Sequence, residues 1–255
     1  MNGDVCDLPA AHAGKLQPSI SVVVPALNEE GNIGPTVEAV LAGLSGIVED
    51  FEIIVIDDGS TDQTFAIASS VANTRSGIQV LRNARNMGLG YSYVRGCRSA
   101  TKHSLVYVPG DNTWPAPSLK ELFQHVGEAD IITSYAINPE VRPAGRRWVS
   151  SSYTALLNLL FSHRLAYFNG LTIYPVAFLR TEPATTFGFG FQAEVLLKAL
   201  AAGLSYVEIP LRIDERAAGK SKAVSVRNIS SVAGTIARLF YELRIRKPPD
   251  HRASS

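Results

Sequence analysis

Glu52-Ile53-Ile54-Val55-Ile56-Asp57-Asp58-Gly59-Ser60-Thr61-Asp62 decides the fold of this chain. Its apolar run is too short for a typical helix and stops at paired carboxylates. It therefore reads as a buried strand ending in a polar turn, with Ser60 or Thr61 capping the next helix. Earlier in the chain the order recurs, as Ile20-Ser21-Val22-Val23-Val24 runs into Pro25-Ala26-Leu27-Asn28-Glu29-Glu30. In open α/β sheets, ligands sit just beyond the carboxyl ends of the strands. Two polar strand ends of this kind imply a site.

Outward from these stretches, strands are expected at 20–25, 52–57, 78–82, 104–109 and 129–133. Helices are expected at about 31–44, 61–73, 88–101 and 117–126. Ile33, Val37, Leu41 and Leu44 recur at helical spacing, as do Phe65, Ala68 and Val71. Alternating units of this length predict an α/β fold, with a mostly parallel central sheet flanked by helices. After residue 135 the rhythm changes. A loop over 138–145 leads to a helix at about 147–163 and a short β-like segment over 165–180. A helix at about 190–202, a strand at 205–209, a polar segment over 212–222 and a last helix at about 224–244 complete the chain.

Composition narrows the classes. The 255 residues fit one large domain, and 24 basic against 23 acidic residues argue against a general nucleic-acid binder. The basic residues are not interleaved with an aromatic stacking platform either. Cys6 and Cys97 lack metal-ligand spacing, which favours a reducing, cytoplasmic setting. No apolar run reaches the ~18 residues of a membrane span. The N-terminus does not read as a secretory signal, and residues 1–18 read as a flexible tail.

Each strand end has a chemical and a plain reading. Asn28 and Glu29 suit the ribose or ring nitrogens of a nucleotide; equally, Asn28-Glu29-Glu30 suits a helix start. Adjacent strand residues face opposite ways, so one of Asp57 and Asp58 can support the turn while the other reaches the crevice. The third strand end, Val106-Tyr107-Val108-Pro109-Gly110-Asp111, carries one carboxylate beside a glycine that permits close approach of a ligand. Asp111 is either a ligand for Mg²⁺ shared with substrate phosphates or a turn aspartate.

In this order the three strand ends resemble family 2 glycosyltransferases of the GT-A fold, and most of all the dolichyl- or polyprenyl-phosphate sugar transferases. Phe191-Gln192-Ala193-Glu194, Arg216-Ala217-Ala218-Gly219-Lys220-Ser221-Lys222 and Arg85-Asn86-Met87-Gly88-Leu89-Gly90 match later motifs of that family. The likeness spans about residues 19–225, with 19–222 as the transferase domain and 223–255 as a C-terminal basic amphipathic helix and tail. It implies that Pro25, Leu27, Glu29, Ile56 and Asp58 contact the nucleotide of a nucleotide-sugar donor, beside Asn28. Gly110, Gln192, Ser221 and Lys222 would also line the substrate site. Asp111 would hold Mg²⁺ or Mn²⁺ on the diphosphate, and Arg216 and Lys222 would meet phosphates of donor or acceptor. Pro109 stands where the metal motif has its first aspartate, Thr113 where glutamine is frequent, Leu27 where tyrosine is common, and Tyr135 or Ala136 where the family often has arginine.

The implied reaction displaces a nucleoside diphosphate from a sugar with inversion at the anomeric carbon. A polyprenyl-phosphate acceptor arrives already ionised and needs no strong base. A hydroxyl acceptor needs a carboxylate, for which Glu194 is the candidate, although a first-turn acid also favours its own helix dipole. A nucleotide-sugar-binding protein of weak activity is the alternative that Pro109 suggests. Residues 212–247 hold nine Lys or Arg against three acids. On the last helix Ile229, Val232, Ile236, Leu239 and Leu243 form a stripe. That helix suits peripheral attachment to an anionic membrane surface, contact with a membrane protein, packing on the core, or a homodimer contact.

Overall fold

The computed structural model describes residues 18–188, 190–215 and 226–246. In chain order the elements are β1 (Ser19–Ala26), α1 (Ile33–Leu44), β2 (Asp50–Asp57), α2 (Thr64–Thr74), β3 (Ile78–Arg82), α3 (Leu89–Ser99), β4 (Ser104–Tyr107) and α4 (Ala116–Gln124). There follow β5 (Ile131–Ala136), α5 (Ala144–Phe161), β6 (Thr172–Pro175), α6 (Val176–Thr181), α7 (Phe191–Ala201), β7 (Tyr206–Leu211) and α8 (Val226–Phe240). A π-helical turn, Tyr241–Ile245, continues α8.

The strands form one seven-stranded sheet in the order β3-β2-β1-β4-β6-β5-β7. All pairings are parallel except those of β6, which is antiparallel to both β4 and β5. The expected mostly parallel α/β sheet is therefore present. The expectation for 165–180 needs correction. Only Thr172–Pro175 is strand, and Pro175 then starts the short helix α6, because proline fits the entry of a helix.

The apolar runs of β1 and β2 are continuous because helices cover both faces of the sheet. Val22, Val24, Ile53 and Val55 pack with α1, α4 and Ala68 of α2. Val23, Ile54 and Ile56 turn the other way, towards residues of α3, α5, α6 and α7 and towards Leu239 of α8. The last helix thus packs its stripe on the core over the described residues, with Leu239 buried and Ile236, Phe240 and Leu243 half-buried against it.

Candidate active site

From β1 the chain winds to β2 and β3 on one side and then crosses to β4 on the other. The carboxyl ends of β1 and β4 therefore flank the topological switch point, where such sheets open a crevice. Backbone bonds knit the three exits together. Gly110 N–H donates to Pro25 O (3.1 Å) and Asp58 N–H to Ala26 O (2.8 Å). A side chain at Gly110 would press on Ala26, with Cβ 3.0 Å from Cβ.

The β1 and β2 exits are zipped to each other. Asn28 sits at φ 56°, a left-handed conformation that asparagine tolerates. Its N–H donates to Ser60 Oγ (2.9 Å), and its Oδ1 accepts Thr61 N–H (2.9 Å). Glu29 N–H donates to Thr64 Oγ1 (2.7 Å), and Asn32 Nδ2 donates to Glu29 Oε2 (2.7 Å). Glu30 N–H donates to Asp62, and Gln63 N–H donates to the Glu30 carboxylate. Burial opposes ionisation of Asp62, yet bonds from Thr64 and Glu30 hold its carboxyl below the usual value. Pro25 and Glu29 are buried and Leu27 is half-buried, whereas Asn28 and Glu30 are exposed.

Asp57 and Asp58 diverge as adjacent strand residues must, and both are committed within the protein. Asp57 pairs with Arg82 Nε (2.9 Å) and accepts Ser60 N–H (3.2 Å). Asp58 is only 4% exposed. It accepts Asn83 Nδ2 (2.6 Å), Met87 N–H (2.9 Å) and Gly88 N–H (2.9 Å). The structure therefore places Asp58 beneath the 86–88 loop, as its anchor, rather than reaching openly into the crevice. Gly59 makes this possible: its φ is +74°, and a Cβ there would lie 2.7 Å from Arg85 Cα. Ile56 is fully buried in the core, so its side chain is not at the site surface.

Arg82 and Asn83 are residues that the sequence reading passed over. Arg82 ends β3 and Asn83 follows it; with Gly59, Ser60, Thr61 and Ala84 they line an open cleft. Arg82 also donates to Ser60 O (3.0 Å) and lies 4.7 Å over the Phe65 ring. The signal was available, because β3 too ends in polar residues.

Beyond β4, Asp111 is half-buried and its Oδ1 accepts Thr113 Oγ1 (2.8 Å). The next residue, Asn112, is held at φ 54° with its N–H on Thr36 Oγ1 (3.0 Å). Burial, then the charges of Asp111 and Glu29, push the Tyr107 phenol far above its ordinary value. Tyr107 thus stays neutral below the two carboxylates, packed edge-on to Phe191 (5.5 Å). Among the described residues no three His, Cys, Asp or Glu cluster as a metal site. Pro109 contributes no ligand. Mg²⁺ and Mn²⁺ take hard oxygen ligands, and Mg²⁺ is commonly held by one or two carboxylates with substrate phosphates and water. Among the described residues, Asp111 is the side chain that fits such an ion.

Phe191 and Gln192 start α7 under the crevice, and Gln192 Nε2 donates to Gly170 O (3.3 Å). Glu194, one half-turn on, is 0% exposed. It accepts Thr185 N–H (2.9 Å), Thr185 Oγ1 (2.7 Å) and Thr186 N–H (2.9 Å). Lys198 (3.1 Å) and Arg238 of α8 (3.0 Å) pair with it. Burial alone would raise its pKa; the bonds from Thr186 and Thr185 and the Lys198 charge prevail and hold it at about 2. This corrects the expectation of a base at Glu194, since a carboxylate so placed is a weak proton acceptor with no open face. Arg238 also donates to the hydroxyls of Thr185 and Thr186. The same loop meets the start of α3, where Gly90 N–H donates to Phe187 O (3.0 Å). A continuous set of contacts therefore runs from Asp58 through the 86–90 loop to Thr186, Glu194 and α8. Arg216, Ser221 and Lys222 lie outside the described residues.

A seven-stranded sheet of this order, with a carboxylate-edged crevice at its switch point, is that of the GT-A glycosyltransferases. Solved glucosyl-3-phosphoglycerate synthase from Mycobacterium tuberculosis shares the fold. In complex with phosphoglyceric acid it superposes with TM-score 0.67 at 21% identity, covering 91% of this chain and 82% of that one. In complex with Mn²⁺, UDP and glucosyl-3-phosphoglycerate the TM-score is 0.64 at 20% identity, with the same coverage. Residues 21–184 match Glycosyl transferase family 2, and the chain belongs to that family; it is a glycosyltransferase. An uncharacterized glycosyltransferase of Mycobacterium tuberculosis is 30% identical over 80% of this chain and 89% of its own length. Undecaprenyl-phosphate mannosyltransferase of Micrococcus luteus is 25% identical over 80% of this chain and 86% of its own. Glycosyltransferase AglD of Haloferax volcanii is 29% identical over 89% of this chain, which spans only 38% of that relative's length.

Proposed function

We propose that this glycosyltransferase moves a sugar from a nucleotide-sugar donor to a polyprenyl phosphate at the cytoplasmic face of a membrane. The observation that carries the choice of acceptor is the state of Glu194, buried and held at about 2. An acceptor hydroxyl needs a base to take its proton. A phosphate monoester, with its second ionisation near ~6, attacks as the anion it already is. The similarity to a relative named undecaprenyl-phosphate mannosyltransferase supports the same acceptor class.

In this reading a phosphate oxygen of the acceptor forms a bond to the anomeric carbon while the bond to the donor's diphosphate breaks, so that nucleoside diphosphate leaves and the anomeric configuration inverts. Pro25, Leu27, Asn28 and Glu29 border the nucleotide, beside the cleft of Arg82 and Asn83. Asp58 holds the 86–88 loop in place rather than gripping the nucleotide directly. Asp111 would hold Mg²⁺ or Mn²⁺, and a bound ion there would neutralise charge on the diphosphate. Arg216, Ser221 and Lys222 are assigned to the phosphates from their motif. Gly110 and Gln192 border the sugar side of the crevice.

The test is incubation with a panel of nucleotide sugars, polyprenyl phosphate and Mg²⁺. Release of nucleoside diphosphate that depends on the lipid phosphate is expected. Release that depends instead on a hydroxyl acceptor, or none across the panel, contradicts the reading.

A further inference from the structure

We infer that the outer face of α5 is a docking surface for an anionic lipid bilayer. A surface helix of a globular protein ordinarily turns charged residues to solvent. From Trp148 to Phe161, α5 carries no charged residue at all. Its inward side is defined by Leu157 and Phe161, both buried in the core. On the opposite side, Trp148, Ser152, Ala155 and Leu159 follow one another at helical spacing, and all four are exposed. Trp148 is 76% and Leu159 79% exposed, with Val149 and Leu156 open beside them. No helix among the described residues is long and apolar enough to cross a membrane. An in-plane contact is the arrangement such a face supports.

Charge selects the occupant. The segment from Arg142 to Arg164 contains four arginines and no Asp or Glu. At the far end of α5, Phe240 packs against Phe161 (6.2 Å between ring centroids), and Arg244 donates to Ser162 Oγ. That contact brings the exposed Tyr241, Ile245 and Arg246 to the same end of the helix. An apolar face with a tryptophan at one end and arginines at both complements acyl chains beneath anionic headgroups. A second copy docked on the same face would set one arginine rim against another, with Glu242 the one acid of the adjoining π-helical turn. Topology adds a reason for the placement. β5 is linked through β6 to β4 by two antiparallel pairings, so it ends on the same sheet edge as β4 and the crevice. The chain therefore enters α5 from the site's own edge.

The inference extends the lipid-acceptor reading, and its test separates the two. The full chain is floated with vesicles of phosphatidylcholine alone or mixed with phosphatidylglycerol. Binding to the mixed vesicles is expected, weakened by salt and at least about tenfold weaker in Trp148→Ser/Leu159→Ser. In Arg147→Gln/Arg164→Gln the preference for phosphatidylglycerol should fall by about fivefold per arginine. The Trp148/Leu159 variant should keep its circular dichroism and its turnover on a short-chain, water-soluble prenyl phosphate. No vesicle binding, or binding that both double variants leave unchanged, overturns the inference. So does a dimer in lipid-free sedimentation that the Trp148/Leu159 variant dissociates. Vesicle binding through α5 without any use of prenyl phosphates would leave the inference standing and remove the acceptor assignment instead.

Discussion

Replacing Glu194 by glutamine separates a structural carboxylate from a catalytic one. The side chain is fully buried and accepts three bonds from Thr185 and Thr186 while pairing with Lys198 and Arg238. Glutamine presents an NH₂ where one oxygen now faces donors and cations, so at least one of them loses its acceptor. The depressed pKa gives the magnitude. A fall from 4.5 to about 2 corresponds to about 3 kcal/mol of preference for the charged form in the folded state. Breaking a buried ion pair by removing one partner costs about 3–5 kcal/mol, in the same range. For a chain of this size that is a loss of roughly 6–12 °C in Tm. Because the folded pKa lies below the unfolded one, the stabilisation is complete above about pH 5 and is lost as pH falls towards about 2. Urea unfolding of wild type and Glu194→Gln, followed from neutral pH into acid, should show a gap that closes over that window. Turnover on a lipid phosphate, measured where the variant is folded, should change far less than stability. A variant as stable as wild type at neutral pH that binds donor but has lost turnover would refute the reasoning and restore Glu194 as a base.

Further perturbations test the remaining parts of the site. Asp111→Asn should leave the unfolding free energy within about 0.5 kcal/mol of wild type, as for other partly exposed positions, and lower turnover by about a hundredfold or more; Mg²⁺ titrations of activity check it. Removing divalent ions with a chelator should abolish turnover reversibly, with Mg²⁺ or Mn²⁺ restoring it. Gly90→Ala drives a methyl against the Thr186 carbonyl and to 2.8 Å from Phe187 Cα, and should cost about 1–3 kcal/mol and weaken donor binding by calorimetry. Asp58→Ala frees the amides of Met87 and Gly88 and the Asn83 amide, each bond to a charged group being worth about 1.5–3 kcal/mol; faster hydrogen exchange at 86–88 is the readout.

The sheet was legible where physics is local. Continuous apolar runs ended by Pro25, by Asp57-Asp58-Gly59 and by Pro109-Gly110 mark buried parallel strands, and their helices follow at 3.6-residue periodicity. The segment 172–181 was not legible in the same way. Thr172-Ile173-Tyr174 and Val176-Ala177-Phe178-Leu179 form one short apolar stretch, and periodicity does not separate a buried strand from a buried helix at that length. The opposite facing of Asp57 and Asp58 followed from strand geometry, but their partners did not. Arg82, Asn83 and the Met87 and Gly88 amides reach them only through loop paths that no spacing encodes. Arg238 shows the same limit most sharply. Nothing in its place off the apolar stripe of α8 signals a partner, yet it pairs with a carboxylate 44 positions earlier.

The central claim, sugar transfer to a lipid phosphate at the crevice between β1 and β4, is tested most directly by the product itself. Purified protein is given labelled nucleotide sugar, Mg²⁺ and polyprenyl phosphate, and the product is isolated and its anomeric linkage determined by NMR. The account predicts a sugar joined to the lipid's single phosphate with inverted configuration, formed by wild type and lost in Asp111→Asn. A product with retained configuration, a sugar on a hydroxyl, or equal yield from Asp111→Asn would contradict it.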